Sequence, residues 1–190
     1  MKKFFFLAMF LTLILNMALA NDKVLLIAAK NGFRDEELFV PKEVLETNGY
    51  IVDIASSSKG ECRGMLGKSI TAGISLNEVN VSDYSAVVFI GGMGAQEYFN
   101  NPIAHRIARE AYEGGKVVAA ICIAPVILGR AGILENKHAT VSKGLKNQLQ
   151  ISGAVYTGSG VEVDGNIITA DGPGAAEGFV YKILDALKKK

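Results

Sequence analysis

The stretch "KVVAAICIAP" (116–125) decides how the chain is read. Small and branched apolar residues run without polar interruption from Val117 to Ile121, the pattern of a strand covered on both faces. Cys122 follows. Pro125 then fits the first turn of a helix within "APVILGRAGIL" (124–134), because proline's fixed φ and missing N–H suit that position. Cys122 therefore falls on a sharp strand-to-helix turn, an elbow that presents one side chain at the top of a sheet. A thiol at a helix start is also drawn toward its thiolate. The plainer alternative is a core cysteine acting as a small hydrophobe.

Segments on either side repeat the theme. "KVLLIAA" (23–29), "YIVDIAS" (50–56) and "SAVVFIGG" (85–92) read as buried strands. Between them, "DEELFVPKEVLETNGY" (35–50) reads as a helix with acids at its start and Asn48-Gly49 at its end; Pro41 is tolerated near the first turns or kinks them. "NPIAHRIAREAYEGG" (101–115) is a helix capped by Asn101, with Pro102 at its first position and glycines at its stop. "VEVDGNIITAD" (161–171) predicts a hairpin about an Asp-Gly turn, and "GAAEGFVYKILDALKKK" (174–190) a terminal amphipathic helix. Strands alternating with helices predict one flavodoxin-like α/β domain: a doubly wound, mostly parallel sheet with helices on both faces. Ligands of such sheets bind beyond the carboxyl ends of the strands. Asp35–Glu37, Gly91–Gly94 and Cys122 reach that edge.

Composition agrees with a globular domain: 190 residues, 49% hydrophobic and 21% charged, with a formal net charge of +1. Acids and bases are interspersed, and no basic patch with interleaved aromatics points to nucleic acid. Residues 1–20, "MKKFFFLAMFLTLILNMALA", stand apart. Lys2 and Lys3, an apolar stretch and Ala18-Leu19-Ala20 form the three parts of a secretory signal peptide; an uncleaved anchor is the rival. Cleavage predicts a mature domain over 21–190, starting at Asn21, and a periplasmic or secreted location. Cys62 and Cys122 remain in that domain and could bridge in an oxidising compartment. Their settings differ, since Cys62 lies in "SSSKGECRGMLG" (56–67), which reads as a Gly- and Ser-rich loop.

Candidate chemistry gathers at few residues. In "FRDEEL" (33–38), Asp35 is expected to cap the helix and Glu36 to face water. Glu37 either points inward over the sheet edge or belongs to a solvated first turn favoured by the helix dipole. The glycines of "FIGGMGA" (89–95) either close a strand or let Gly91 and Gly92 offer backbone N–H groups to an oxyanion, together with Ile123. A dinucleotide fingerprint is missing, and no cofactor is called for. His105 and His138 read as solvated or structural side chains, so a Cys-His hydrolase has little support. Two Cys and two His are scattered without metal-ligand spacing.

Taken together, "FRDEELFVP", "VVFIGGMGA", "VVAAICIAPVILGRAGIL" and "DGNIITADGPGAAEGFVYKIL" resemble the corresponding blocks of the ThiJ/PfpI family, in order and spacing, over essentially the whole mature chain. That superfamily includes the human parkinsonism-associated deglycase and has the class I glutamine amidotransferase-like fold. The resemblance implies that Cys122 is the elbow nucleophile and Glu37 the acid bonded to its thiol. It also implies that Gly92 and Ile123 supply oxyanion N–H groups, and that the protein forms a homodimer or larger homo-oligomer. Two departures stand out. PfpI-type peptidases carry a histidine directly after the cysteine, where this chain has Ile123. The deglycase branch carries one on the next strand, where Val141 or Ser142 of "KHATVSKG" stands here and His138 lies upstream. The expected activity is thus glyoxalase- or deglycase-type chemistry on small carbonyl electrophiles or modified proteins. The alternatives are a non-enzymatic redox sensor or chaperone, and, disfavoured, a peptidase or amidase.

Overall fold

The computed structural model describes residues 23–189; the leader read over 1–20 and the mature start at Asn21 lie outside the described residues. Lys23–Ile27 (β1) leads through Asn31–Phe33 (β2) into the helix Asp35–Thr47 (α1). Ile51–Ser56 (β3) is followed by Gly60–Gly64 (β4), Ser69–Ala72 (β5) and Ile74–Ser75 (β6). Ala86–Phe89 (β7) passes through a 3-10 segment, Met93–Tyr98, into Pro102–Glu113 (α2). Val117–Ile121 (β8) turns into Pro125–Arg130 (α3). The rest comprises His138–Ala139 (β9), Lys146–Ile151 (α4), Val155–Tyr156 (β10), Val161–Asp164 (β11), Ile167–Ala170 (β12) and Ala176–Leu187 (α5).

The main sheet has seven strands in the order β11-β12-β8-β7-β1-β3-β6. β3, β1, β7, β8 and β12 are mutually parallel, and β11 alone runs antiparallel, as the second arm of the predicted hairpin. Counted along the chain, the five long parallel strands lie in the order 2-1-3-4-5, the flavodoxin-like arrangement. The uninterrupted apolar runs follow from this geometry. Leu25, Ile27, Val87, Phe89, Val118 and Ala120 face one way, onto Ala104, Ile107 and Ala108 of α2 and Ile127 of α3. Their neighbours Val24, Leu26, Val88, Val117, Ala119 and Ile121 face the other, onto Leu38 and Leu45 of α1 and Phe179 and Ile183 of α5. Each large aliphatic side chain so buried contributes roughly 1.5–3 kcal/mol.

Local signals explain the helix ends. The Asn101 side chain accepts from the N–H groups of Ile103 (2.9 Å) and Ala104 (3.1 Å), as its position predicts. Pro41 lies inside α1, beyond its first turn, and the helix continues through it. Two segments differ from expectation. "SSSKGECRGMLG" contains a strand: β4 pairs with β2 and β5 in a second, three-stranded sheet. Cys62 points inward and is fully buried while Glu61 and Arg63 point out, a period-two pattern that the glycines and serines hide. The elbow helix is shorter than "APVILGRAGIL", because the chain turns after Arg130 with Gly132 at φ +82°. Both cysteines are free thiols.

Candidate active site

Cys122 adopts φ +65°, in the left-handed region that non-glycine residues rarely occupy. Strain of this kind costs of order 1 kcal/mol or more, and the surroundings must impose it. Here the Cys122 N–H donates to the Ala170 carbonyl at the end of β12 (2.9 Å), and the Cys122 carbonyl accepts from the Ser142 N–H (2.8 Å). The elbow is thus pinned from two sides, and its half-buried side chain projects at the carboxyl edge of the sheet.

α1 brings the second group. The Arg34 N–H donates to the Gly91 carbonyl (3.0 Å), tying the start of the helix to the end of β7. One turn on, Glu37 is 0% exposed. Gly91 marks where the three segments meet: a Cβ there would collide with the Glu37 carboxylate and the Cys122 Cβ. Gly92, at φ +93°, has no room for one either, against the Arg34 backbone nitrogen. These two glycines let α1 close over the elbow.

Neither carboxyl oxygen of Glu37 has a hydrogen bond of ordinary geometry among the described residues. Burial pushes its pKa up to about 7, opposed by the adjacent Cys122 thiol, the Arg34 charge and the Gly91 N–H. Burial, and then the charge of Glu37, push the Cys122 thiol up to about 11, opposed by the N–H groups of Gly92 and Ile123. The helix start was expected to lower this pKa. Instead, α3 has only six residues, and desolvation beside a carboxylate outweighs it. The two groups form one titrating pair, which carries a single negative charge between about pH 7 and 11. Two N–H groups face the sulfur and one faces the carboxyl. Gly91, grouped from sequence with the oxyanion donors, thus serves Glu37, whereas Gly92 and Ile123 serve the sulfur.

Asp35 does not cap α1. Arg34 holds the cap position in an extended conformation, and Asp35 is the first helical residue, 3% exposed. Its carboxylate instead accepts from the N–H groups of Leu66 (2.9 Å) and Lys68 (2.9 Å), fastening the β4–β5 turn to the helix. Glu36 is part-exposed and paired with Arg34 (2.8 Å). Neither histidine reaches the thiol's cleft: His105 Nε2 bonds the Phe99 carbonyl (2.9 Å), and His138 Nδ1 lies 3.4 Å from Asp164. Of the two candidates for the position after β9, Ser142 lines the cleft and Val141 is buried in the core. Among the described residues, no group of His, Cys, Asp and Glu is arranged to hold a metal ion.

Arg34, Met65, Met93, Ser142 and Pro173 complete an open cleft of about 180 Å³ over Cys122 and Glu37. Sequence reasoning passed over Arg34, Met65, Met93 and Pro173. Arg34 alone carried a signal, as the last residue before the helix that delivers Glu37. The arrangement can add a thiolate to an electrophile, hold the resulting negative charge on N–H groups and supply or remove a proton through Glu37.

The model of the DJ-1/PfpI family matches residues 22–186. An uncharacterized protein of Methanocaldococcus jannaschii is 48% identical over 172 residues, spanning 89% of this chain and 84% of that protein. A protein named deglycase PfpI, from Pyrococcus furiosus, is 34% identical over 166 residues, spanning 87% of this chain and 99% of the relative. Among solved structures, a ThiJ/PfpI domain protein from Brachyspira murdochii superposes with a TM-score of 0.88 at 28% identity, over 90% of this chain and 98% of that one. Agreement of this extent, from the first strand through the last helix, makes the chain a member of the DJ-1/PfpI family.

Proposed function

We propose that the protein is a cysteine-dependent enzyme acting on small carbonyl electrophiles or their adducts on proteins, with glyoxalase- or deglycase-type chemistry. The observation that carries this is the buried, raised-pKa carboxyl of Glu37 held against the elbow thiol. A carboxyl that titrates near 7 can both give and take a proton near neutral pH. The relative named deglycase supports the reaction class.

In this reading the Cys122 thiolate adds to an aldehyde carbon, and the carbonyl π pair moves to oxygen. The Gly92 and Ile123 N–H groups stabilise that oxygen, and Glu37 protonates it to a hemithioacetal. With a 2-oxoaldehyde, Glu37 then removes the proton from the hemithioacetal carbon and returns it to the neighbouring carbon, while the hemithioacetal hydroxyl proton passes to the former ketone oxygen through the enediol. The resulting 2-hydroxy thioester is hydrolysed by water to a 2-hydroxy acid and the free thiol. The net change is one water added per 2-oxoaldehyde.

The tripartite segment 1–20 supports action outside the cytoplasm, and the resemblance supports a homo-oligomer. A second reading, a redox sensor in which the same N–H groups and Glu37 hold an oxidised Cys122, draws on the same site. Methylglyoxal turnover by wild type and Cys122→Ala tests the enzymatic reading. Turnover by wild type that vanishes in the variant supports it; equal rates, or none in either, remove it.

A further inference from the structure

We propose that Arg34 makes the cleft over Cys122 selective for electrophiles that carry a carboxylate beside the reacting carbon. This deepens the reading above and rests on Cys122 being the reacting group.

Arg34 is fixed at both ends. Its backbone N–H is bonded to the Gly91 carbonyl (3.0 Å), at the junction of β7, α1 and the elbow. At the other end, Nε and Nη2 donate to the two carboxylate oxygens of Glu36, at 2.8 and 3.2 Å. This fork holds the plane of the guanidinium. Nη1 has no partner among the described residues.

The placement of Glu36 decides what the guanidinium can reach. Arg34 lines the cleft with Cys122, whereas Glu36 lines the adjoining depression with Asp35, Phe39 and Lys68. Glu36 thus holds the Nε/Nη2 edge from the adjoining depression, and Nη1 is the donor left over for a ligand in the cleft that Arg34 lines. Of the side chains lining the cleft, Arg34 alone is cationic, and Glu37 alone is acidic. Lys68 lies over the Phe39 ring (4.8 Å) in the adjoining depression, and Lys143, which directly follows Ser142 in the chain, is not among the side chains that line the cleft.

The negative charge shared by Cys122 and Glu37 repels an anion, so attraction must come from a directed contact. One charge-assisted N–H···O bond to a substrate carboxylate supplies it, a contact that raises the rate about tenfold or more. A carboxylate one carbon from the reacting centre suits so small a cleft, which points to 2-oxo acids with an aldehyde function, glyoxylate being the smallest.

Two alkylating reagents of nearly the same shape provide the test: iodoacetate, an anion, and iodoacetamide, which is neutral. In both, the thiolate sulfur forms the S–C bond as the C–I bond breaks and iodide leaves with its electron pair. Both report the same thiolate, so their rate ratio cancels any effect of Arg34 on ionisation. The ratio at Cys122, iodoacetate over iodoacetamide, is expected to exceed that of 2-mercaptoethanol by about tenfold at equal pH and ionic strength. Arg34→Gln should return it to the free-thiol value, and Arg34→Lys should keep part of the excess. A wild-type ratio equal to that of 2-mercaptoethanol, or one that Arg34→Gln leaves unchanged, overturns the proposal. Methylglyoxal turnover measured alongside separates the two ideas. Turnover with an ordinary ratio removes the selectivity alone; a raised, Arg34-dependent ratio without turnover keeps the anion contact and removes the proposed reaction.

Discussion

Replacing Glu37 by glutamine should make the protein more stable above neutral pH. The ordinary carboxyl pKa of 4.5 applies in the unfolded chain, and burial raises it to about 7 in the fold. Between those values the native state holds a proton that the unfolded chain has released, so wild-type stability falls as pH rises through this window. The shift amounts to about 3 kcal/mol, fully expressed by pH 8. Because the proton belongs to the Glu37–Cys122 pair, the loss is the same whichever atom gives it up. Glutamine is neutral throughout and nearly isosteric, so the variant should exceed wild type by less than about 1 kcal/mol at pH 5 and by about 3 kcal/mol at pH 8. In melting temperature that is roughly 6–12 °C for a domain of this size. Chemical or thermal denaturation of wild type, Glu37→Gln and Glu36→Gln at pH 5, 6.5 and 8 measures it, with Glu36→Gln keeping the wild-type slope. Parallel curves for wild type and Glu37→Gln would show that the carboxyl ionises freely in the fold and refute the reasoning.

Gly91→Ala should abolish carbonyl turnover and cost about 1–3 kcal/mol, since its Cβ meets the Glu37 carboxylate and Cys122; denaturation and methylglyoxal assays check both, and an active variant would contradict the packing described. Asp35→Ala leaves the N–H groups of Leu66 and Lys68 without their acceptor and should cost about 1–3 kcal/mol, with the turn that carries Met65 loosened; unchanged stability would show that the contact is spent on water. Intact-mass analysis from the native host should find the mature chain starting at Asn21, and a soluble form retaining Met1–Ala20 would remove the export proposal.

Most of the parallel sheet was legible because burial on both faces demands what the sequence displays: apolar runs such as Val117–Ile121 with no alternation. Caps were legible where one side chain does the work, as at Asn101. Short strands were not. β4 is read only once Cys62 is seen to alternate with Glu61 and Arg63, and β9 and β10 are two residues each. The acid run 35–37 shows the limit of local reasoning. Three carboxylates adjacent in sequence take three environments: a buried acceptor of two N–H groups, a surface ion pair and an unpartnered acid beside a thiol. Only tertiary contacts distinguish them. The thiol's pKa was misjudged for a related reason, since a helix start is a local feature whereas burial and the Glu37 charge arrive from across the fold.

The central claim is that Cys122 and Glu37 share one proton and that the singly charged pair reacts through sulfur. Peptide-resolved iodoacetamide rates from pH 5 to 10, for wild type and Glu37→Gln, address it most directly, with buried Cys62 as the internal control. In wild type the Cys122 rate should rise in two steps, a first near 7, where the pair gives up its first proton, and a second toward 11 as the thiol itself ionises, and it should stay far above that of Cys62. In Glu37→Gln no second group shares the proton, so the step near 7 should vanish and a single rise should remain, with its midpoint below 11 because the Glu37 charge that raises the thiol is gone. Superimposed curves, or a wild-type curve with no step near 7, would mean that the proton lost there never leaves sulfur, and would contradict the account.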